Sequence, residues 1–433
     1  MSQTLRVAIL GAGTVGTEVI RLLHEQGADL TERTGAELKI VGIAVRDADA
    51  PRDPIIDPAL ITDDPASLVG RADLVVELMG GIDPARELVL DAINAGASVV
   101  TANKALLAAH GPQLYEAAAA RGVDIYYEAA AAGAVPVVRG VRESLAGDRI
   151  NRIIGIVNGT TNYILDEMTH GGIGFEEALA QAQQLGFAEA DPTADVDGHD
   201  AAAKIAILSS MAFHTRINID DVPVEGIRAI SAADVATAAE SGHVIKLLAI
   251  AERRVDDQGR EGIALRVYPA LLSTDHPLAT VRGAFNGVLI EAQAAGELMF
   301  YGQGAGGAPT ASAVLGDVVS AARNRVSGGR GPQETSYAQL PVLDPGLVAT
   351  QYQLRLLVAD QPGVLAKVAG TFGEHGVSIQ TVRQSQLPPT EGPAEIVLIT
   401  HRAPEAALAA TTEALAGLSS VQGLLAVTRV EDH

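Results

Sequence analysis

The chain has 433 residues, a length typical of two or three domains. Apolar residues make up 48% of it and the formal net charge is −22, which favours a compact enzyme and disfavours nucleic acid or anionic membrane as a partner. The chain contains no cysteine, which excludes disulfides, thiolate metal sites and a cysteine nucleophile. No apolar run has the length of a membrane span and no cleavage signal follows the first one, so the predicted compartment is the cytoplasm.

The first fifty residues predict a dinucleotide site. The apolar run Leu5–Leu10 is typical of a buried parallel strand, and a helical pattern covers Thr17–Gln26. Between them the chain has the glycine fingerprint, made of Gly11, Ala12, Gly13, Thr14, Val15 and Gly16. Its glycines permit a tight turn and the close approach of a pyrophosphate to a helix N-terminus. The alternative is a glycine-rich turn that serves packing only.

The end of the second strand bears on the choice of cofactor. This strand, Leu38–Val45, is followed by Arg46 and Asp47. An acidic residue here binds a ribose 2′-hydroxyl, whereas an arginine accommodates a 2′-phosphate. NAD and NADP therefore both stay open, and Arg46 favours NADP.

Two further strands, Ala72–Met79 and Ser98–Lys104, flank a helix over Pro84–Ala95. Ligands of open α/β sheets lie outside the carboxyl ends of strands, so Lys104 is predicted to contact cofactor or substrate. The alternative is a surface lysine at the start of a helix. A strand over Val123–Glu128 precedes a small-residue turn, 129–136, whose carbonyls suit a monovalent cation as well as tight packing.

A strand ending at Val157 leads into a polar turn that opens a helix with Gly159 and Thr160. This turn is either a pocket wall or a helix cap. The most unusual stretch follows, with five carboxylates in a dozen residues, namely Glu189, Asp191, Asp195, Asp197 and Asp200. Asp200 and Lys204 are four residues apart on a predicted apolar helix, so they share one face. A buried lysine must be paired or have its pKa lowered, which makes Lys204 a candidate proton donor. A calcium loop is the alternative, although the spacing does not fit an EF-hand.

The C-terminal half predicts three segments. Alternating runs near Ile263–Leu271 and Gly287–Glu297 indicate antiparallel strands of a second domain. A second glycine-rich turn at 302–307 predicts that the chain returns to the nucleotide domain. Residues 327–350 are typical of a linker. The tail has the order βαββαβ and is expected to be self-contained, so that a chain ending near Ala349 stays active.

A dinucleotide domain, an acidic pocket and a helical lysine favour an enzyme that transfers hydride between a nicotinamide and a carbonyl. Six motifs resemble those of the homoserine dehydrogenase family in its long form with a C-terminal ACT domain. They are Gly11–Gly16, Thr101–Lys104, Tyr127–Pro136, Asn158–Tyr163, Phe187–Lys204 and Gly302–Gly307, and Asp360–Leu365 is similar to an ACT effector loop.

The resemblance implies an α/β fold with a Rossmann-type dinucleotide domain (1–135 and 302–326), an α+β substrate and dimerisation domain (136–301), a linker (327–350) and a ferredoxin-like ACT domain (351–433). It implies interconversion of L-aspartate 4-semialdehyde and L-homoserine in threonine and methionine biosynthesis, by a homodimer or homotetramer that uses NADP or NAD. The alternatives are another amino-acid or keto-acid oxidoreductase on this fold and a non-catalytic nucleotide sensor.

Site residues follow from the same resemblance. Lys204 is the implied proton donor, and Lys104 is implied to lie between substrate and nicotinamide. Substrate contacts are implied for Glu189, Asp195, Asp200, Gly159 and Thr160, and a cofactor contact for Gly304. A sodium ion is implied at Glu128 and the backbone oxygens of Ala131, Gly133 and Val135, although the family usually has a bulkier residue in place of Ala131. Threonine is the implied effector at the junction around Gly363.

Overall fold

The computed structural model describes residues 3–256, 258–386 and 393–431. In these residues the strands are β1 Gln3–Leu10, β2 Ala36–Ala44, β3 Ile61–Thr62, β4 Leu74–Glu77, β5 Ser98–Thr101, β6 Ile125–Tyr126, β7 Ile150–Ile156, β8 His243–Val255, β9 Glu261–Ser273, β10 Phe285–Ala292, β11 Gly296–Gln303, β12 Ala349–Val358, β13 Ile379–Gln386, β14 Ala394–Thr400, β15 Ala403–Pro404 and β16 Val421–Val430.

The α-helices of the same residues are α1 Thr14–Glu25, α2 Gly27–Thr34, α3 Pro65–Val69, α4 Ala85–Asn94, α5 Lys104–Arg121, α6 Glu128–Ala132, α7 Val137–Arg139, α8 Gly159–His170, α9 Phe175–Gln184, α10 Thr193–Val196, α11 His199–Ala212, α12 Ala232–Glu240, α13 Gly307–Ser327, α14 Val364–Glu374 and α15 Glu405–Ala416. Among the helices described, none combines the length and the apolar character that a membrane crossing requires.

The chain forms two compact units. The first takes the chain up to Gly159, then His199–Val222 and Ala284–Leu340. The second takes Thr160–Gly198, Pro223–Gly283 and the chain from Pro341 onwards.

The first unit is built on a parallel sheet with the strand order β3-β2-β1-β4-β5-β6. The order reverses beside β1, and the crevice at such a reversal is where doubly wound sheets bind ligands. Apolar residues of β1 and β4, such as Ile9 and Val76, share a buried core with Val19 of α1 and with Val314 and Val318 of α13. A helix from late in the chain thus completes the nucleotide-binding layer.

An antiparallel group of three strands, β7, β10 and β11, also belongs to this unit. The alternating pattern near Gly287–Glu297 predicted antiparallel strand structure, which is confirmed, but these residues belong to the same unit as the parallel sheet. β10 ends at Ala292 and β11 begins at Gly296, whose φ of 72° lets the chain reverse. The alternating pattern continues through a hairpin because the turn between its strands is short.

Several other strand predictions ended too late, and two of them involve predicted site residues. β5 stops at Thr101, and the Asn103 side chain accepts a hydrogen bond from the Leu106 amide (3.1 Å), so that Lys104 is the first residue of α5. An asparagine at this position satisfies an otherwise unpaired helix amide, and this outweighs continuation of the strand. Similarly, β6 covers only Ile125–Tyr126, and Glu128 begins the helical turn α6.

The second unit contains the hairpin of β8 and β9 and a four-stranded antiparallel sheet in the order β16-β12-β14-β13. Helices α14 and α15 supply Phe372 and Leu408 to the core of that sheet, where they join Leu354, Leu356 and Leu398. The predicted βαββαβ order of the tail is therefore confirmed.

The prediction that the tail is self-contained is wrong. Its last strand, β16, pairs in parallel with β9, outside the tail. Buried Arg266 of β9 bonds to Glu252 (2.6 Å) and to Glu431 (3.1 Å), and the Tyr268 hydroxyl also bonds to Glu431 (2.5 Å). A chain ending near Ala349 would lose these partners and expose an edge of β9. The prediction failed because the sequence of the tail does not show that β16 pairs with a second strand outside it.

Candidate active site

The glycine fingerprint forms a turn that admits no side chain at two positions. Gly11 has a φ of 104°, and a Cβ there would lie 2.7 Å from the Leu78 carbonyl oxygen. A Cβ on Gly16 would collide with the Gly11 carbonyl. Gly13 precedes α1 and has open space where its Cβ would be. The turn therefore leaves room for a pyrophosphate at the positive end of α1, and its residues fit a dinucleotide cofactor.

The two residues predicted to bear on the choice between NAD and NADP, Arg46 and Asp47, lie just beyond β2. Arg46 and Asp47 are both exposed. The Asp47 carboxylate accepts the Asp49 amide (3.0 Å), so it is occupied in closing its own turn.

The second glycine-rich segment packs tightly within the first unit. The Ala134 amide donates to the Gln303 carbonyl (3.0 Å), and a Cβ on Gly133 would collide with the backbone of Gly304. Gly304 in turn has no room for a side chain beside Asn286. The predicted cofactor residue Gly304 and the predicted cation residue Gly133 are thus neighbours, and both must be glycine for packing reasons alone.

Lys104, Asp200 and Lys204 come together in the first unit. Helix α5 begins with Lys104, and the first turns of α11 carry Asp200 and Lys204. One oxygen of Asp200 accepts a hydrogen bond from Lys104. The other accepts from Lys204 (2.8 Å) and from the Asn158 amide (2.8 Å). We call these three charged residues the lysine–aspartate cluster.

The three side chains of the cluster differ in their exposure to solvent. The Asp200 side chain is 3% exposed and that of Lys204 11%, whereas the Lys104 side chain is 45% exposed. Burial opposes ionisation of Asp200, but the charges of Lys204 and Lys104 outweigh it and hold the pKa of this carboxyl well below its ordinary value. The buried Lys204 is therefore paired, and Asp200 is hydrogen-bonded both to it and to the half-exposed Lys104.

No role was predicted from the sequence for two residues that form hydrogen bonds with this cluster. Asn158 lies in a motif noted for its polarity, but no role was predicted for its side chain. The Val157 carbonyl accepts a hydrogen bond from Lys204 (2.6 Å), and no side chain signals it. The position of both residues just after the carboxyl end of β7 was the available clue.

The other predicted substrate residues have local roles in the structure. A Cβ on Gly159 would lie 2.5 Å from the Ala284 carbonyl oxygen, so packing requires glycine there. In the second unit, the Thr160 hydroxyl donates to the Phe187 carbonyl (2.5 Å). Glu189 is exposed and its carbonyl accepts from Gln183 (3.1 Å), and Asp195 is half-buried in α10.

The predicted cation turn contains a buried carboxylate. Glu128 accepts hydrogen bonds from the amides of Val138 (2.8 Å) and Arg139 (2.9 Å), and burial raises its pKa. Its own amide donates to Asp317 (2.7 Å), where burial raises the pKa to about 7. Among the residues described, no three His, Cys, Asp or Glu side chains form a metal-binding group. The remaining donors are carboxylate and carbonyl oxygens, which suit a hard cation.

Three sequence models of known families match the chain. The model of the homoserine dehydrogenase NAD-binding domain matches residues 11–128, that of homoserine dehydrogenase matches 136–319, and that of the ACT domain matches 352–419.

Homoserine dehydrogenases of known sequence and structure are similar to the chain along its length. The enzyme of Corynebacterium glutamicum is 54% identical over 98% of this chain and 95% of its own. That of Mycobacterium tuberculosis is 54% identical over 98% and 97%. The crystal structure of a homoserine dehydrogenase from Thiobacillus denitrificans has a TM-score of 0.92 at 39% identity and covers 99% of both chains.

A hyperthermophilic archaeal homoserine dehydrogenase in complex with NADPH has a TM-score of 0.63 at 27% identity, and covers 77% of this chain and 100% of its own. The predicted fold class and activity are confirmed, and the alternative functions are not favoured. With its nucleotide cradle, its lysine–aspartate cluster and its ACT domain, the chain belongs to the homoserine dehydrogenase family, NAD(P)-dependent oxidoreductases that act on a CH–OH group.

Proposed function

We propose that the chain interconverts L-aspartate 4-semialdehyde and L-homoserine at the lysine–aspartate cluster, with Lys204 as the proton donor. The observation that supports this is a buried Asp200 bonded to two lysines of different exposure. The bound nicotinamide cofactor supplies the hydride for reduction and accepts it in oxidation.

Each member of the cluster has a distinct task in this proposal. When the aldehyde is reduced, its oxygen gains a proton, which the Lys204 ammonium donates. Asp200 and the Val157 carbonyl hold that ammonium in one position. Lys104 donates a hydrogen bond to the other oxygen of Asp200 and helps to keep that carboxylate ionised, so that the ion pair with Lys204 is maintained.

Steady-state oxidation of L-homoserine, followed at the nicotinamide absorbance, tests the proposal against other amino alcohols. L-homoserine should have the highest kcat/KM of the series. The substrate contacts proposed for Glu189 and Asp195 rest on resemblance alone. In the same assay, Glu189→Gln and Asp195→Asn should raise the KM for L-homoserine and leave that for the cofactor unchanged.

We propose that Arg46 binds the 2′-phosphate of NADP. What supports this is the exposed arginine beyond β2 and an adjacent Asp47 carboxylate occupied by its own turn. Arg46→Ala should weaken NADP about tenfold or more and NAD little, because only NADP loses a charge-assisted hydrogen bond. Fluorescence titration of the reduced cofactors measures both dissociation constants. If the substitution weakened the binding of NADP and NAD equally, the ribose would instead be bound by Asp47.

We propose that Glu128 and the backbone oxygens of Ala131, Gly133 and Val135 hold a sodium ion. The supporting observation is that burial raises the pKa of Glu128, since a bound cation would offset the cost of its buried charge. Replacing sodium by tetramethylammonium at constant ionic strength should lower the thermal unfolding midpoint. An unchanged midpoint would leave the turn with a packing role only.

We propose that threonine inhibits the enzyme by binding where α14 begins. Gly363 caps this helix, is exposed, and has open space where its Cβ would be. A threonine carboxylate would meet the positive end of α14. Gly363→Asp should abolish inhibition because it places a like charge at that position.

The matched control for this prediction is Gly363→Asn. The φ of Gly363 is 89°, so both replacements strain the backbone to a similar degree, but only aspartate adds a charge. The asparagine variant should remain inhibited. If the unmodified enzyme stays fully active at saturating threonine, threonine is not the effector.

A further inference from the structure

A carboxyl group that has no role in the proposed site lies at the crevice of the parallel sheet. Glu77 is the last residue of β4 and is 0% exposed. In the sheet it pairs with Leu10, the residue before the glycine fingerprint. Ligands of doubly wound sheets bind outside the carboxyl ends of the strands, where the strand order reverses, and here the order reverses beside β1. Glu77 therefore lies next to the predicted cofactor site.

The hydrogen-bond partners of Glu77 are all donors. One carboxyl oxygen accepts from the Thr101 hydroxyl (2.6 Å). The other accepts from the Met79 amide (2.9 Å) and, at 3.4 Å, from the side-chain amide of Asn103. The ionised form of a carboxyl group only accepts hydrogen bonds, so three converging donors favour that form. The contacts thus indicate that Glu77 carries a negative charge in the folded protein.

None of the three partners of Glu77 is a cation, and no ion pair of this side chain occurs among the residues that the structure describes. The positive end of α5, which begins just after Asn103, offsets part of the charge. A buried carboxylate usually also has a cationic partner, because removing its charge from water is costly. Since the described contacts of Glu77 contain no such partner, its charge is available to a cationic ligand.

The cofactor of this family contains such a cation in one of its two states. A dinucleotide binds across the crevice, with one nucleotide beside each half of the sheet. The end of the second strand recognises the adenosine ribose, so the nicotinamide half belongs to the side of β4 and β5. These two strands end with Glu77 and Thr101. The nicotinamide ring is positively charged when oxidised and neutral when reduced.

We propose that the Glu77 carboxylate is the counter-ion of the oxidised nicotinamide ring, and that it thereby makes the bound reduced cofactor a stronger hydride donor. An anion near the ring stabilises the charged, oxidised form more than the neutral, reduced form. Repulsion between Glu77 and the pyrophosphate is the same for both forms, so it cancels when their affinities are compared. The effect on hydride transfer rests on the proposed function, whereas the difference in affinity does not.

Glu77→Gln removes the charge and nearly preserves the volume of the side chain. The Thr101 hydroxyl can accept a hydrogen bond as well as donate one, so it can pair with the new amide group. Calorimetric titration without substrate gives the dissociation constants of NADP+ and NADPH. We expect the variant to weaken NADP+ relative to NADPH by about fivefold or more. NAD+ and NADH should show the same change in ratio, so the test does not depend on which cofactor is preferred.

Asp73→Asn is the matched control, because it removes the same charge from the other end of β4. Asp73 directly precedes the strand, about 13 Å along the backbone from Glu77, and pairs with Arg6 (2.9 Å). The affinity ratio of this variant should stay within about twofold of the unmodified value. Thr101→Val removes a hydrogen-bond donor but keeps the charge of Glu77, and should also leave the ratio unchanged.

A ratio for Glu77→Gln within about twofold of the unmodified one, including equal weakening of both forms, would overturn the proposal and leave Glu77 with a structural role only. Urea unfolding shows whether the variant folds. If it does not, Glu77→Met combined with Thr101→Val removes the charge without leaving that hydroxyl unpaired, and the same ratio decides. Unmodified turnover in Lys204→Ala would contradict the proposed proton donor without changing this ratio, so the two proposals fail separately.

Discussion

Replacing Lys204 by alanine is expected to lower kcat for L-homoserine oxidation by about 10²–10⁴-fold, the usual effect of removing a positioned acid or base. Lys204 is buried and has no contact with the glycine fingerprint among its described hydrogen bonds, which go to Asp200 and the Val157 carbonyl. The dissociation constant of the reduced cofactor, measured by fluorescence, should therefore stay within about twofold of the unmodified value, a difference well below 1 kcal/mol.

A second variant separates chemistry from folding. Lys204→Ala leaves Asp200 with the half-exposed Lys104 as its remaining cation, so the variant should still fold. Lys204→Arg keeps the charge of the pair but holds its proton too tightly to donate it, and should also lose turnover. A Lys204→Ala enzyme with unmodified kcat would transfer the role of proton donor to Lys104.

Arg266→Met is expected to destabilise the protein by about 3–5 kcal/mol, the usual cost of removing one member of a buried ion pair. The arginine side chain is 5% exposed and separates Glu252 from Glu431, which are 4% and 1% exposed. Urea unfolding followed by circular dichroism should show a lower midpoint for this variant.

The exposed pair of Arg260 and Asp256 offers the control. These residues also bond at 2.8 Å in the second unit, but the Arg260 side chain is 69% exposed. Arg260→Met should therefore cost less than about 1 kcal/mol. The double variant Arg266→Met with Glu431→Gln should recover part of the loss, because it also removes the buried negative charge that Arg266 had offset. Equal midpoints for the two single variants would show that the buried pairs contribute no more than an exposed one.

This expectation also changes how the ACT domain should be studied. Removing the tail takes away Glu431 and the strand that pairs with β9, so loss of activity in a shortened chain would report damage to the second unit rather than loss of regulation. Point changes such as Gly363→Asp in the whole chain avoid that ambiguity.

Local features of this protein were predictable from the sequence. The fingerprint at Gly11–Gly16, the helical spacing of Asp200 and Lys204 and the βαββαβ order of the tail depend on neighbouring residues. Backbone geometry at this scale follows from glycine positions and from periods of 2.0 and 3.6 residues. The strand β8 was not predicted, because its apolar run has no alternation that separates a buried strand from a buried helix.

Only the tertiary structure decided which distant groups meet. Lys104 bonds to Asp200 across 96 residues, Glu128 to Asp317 across 189, and Arg266 to Glu431 across 165. Each pair depends on how helices pack and on which strands become neighbours, and the same local patterns would fit many other pairings. The sequence can indicate that a charged residue is buried and therefore needs a partner. Which residue becomes that partner is determined by the packing that brings the two side chains together.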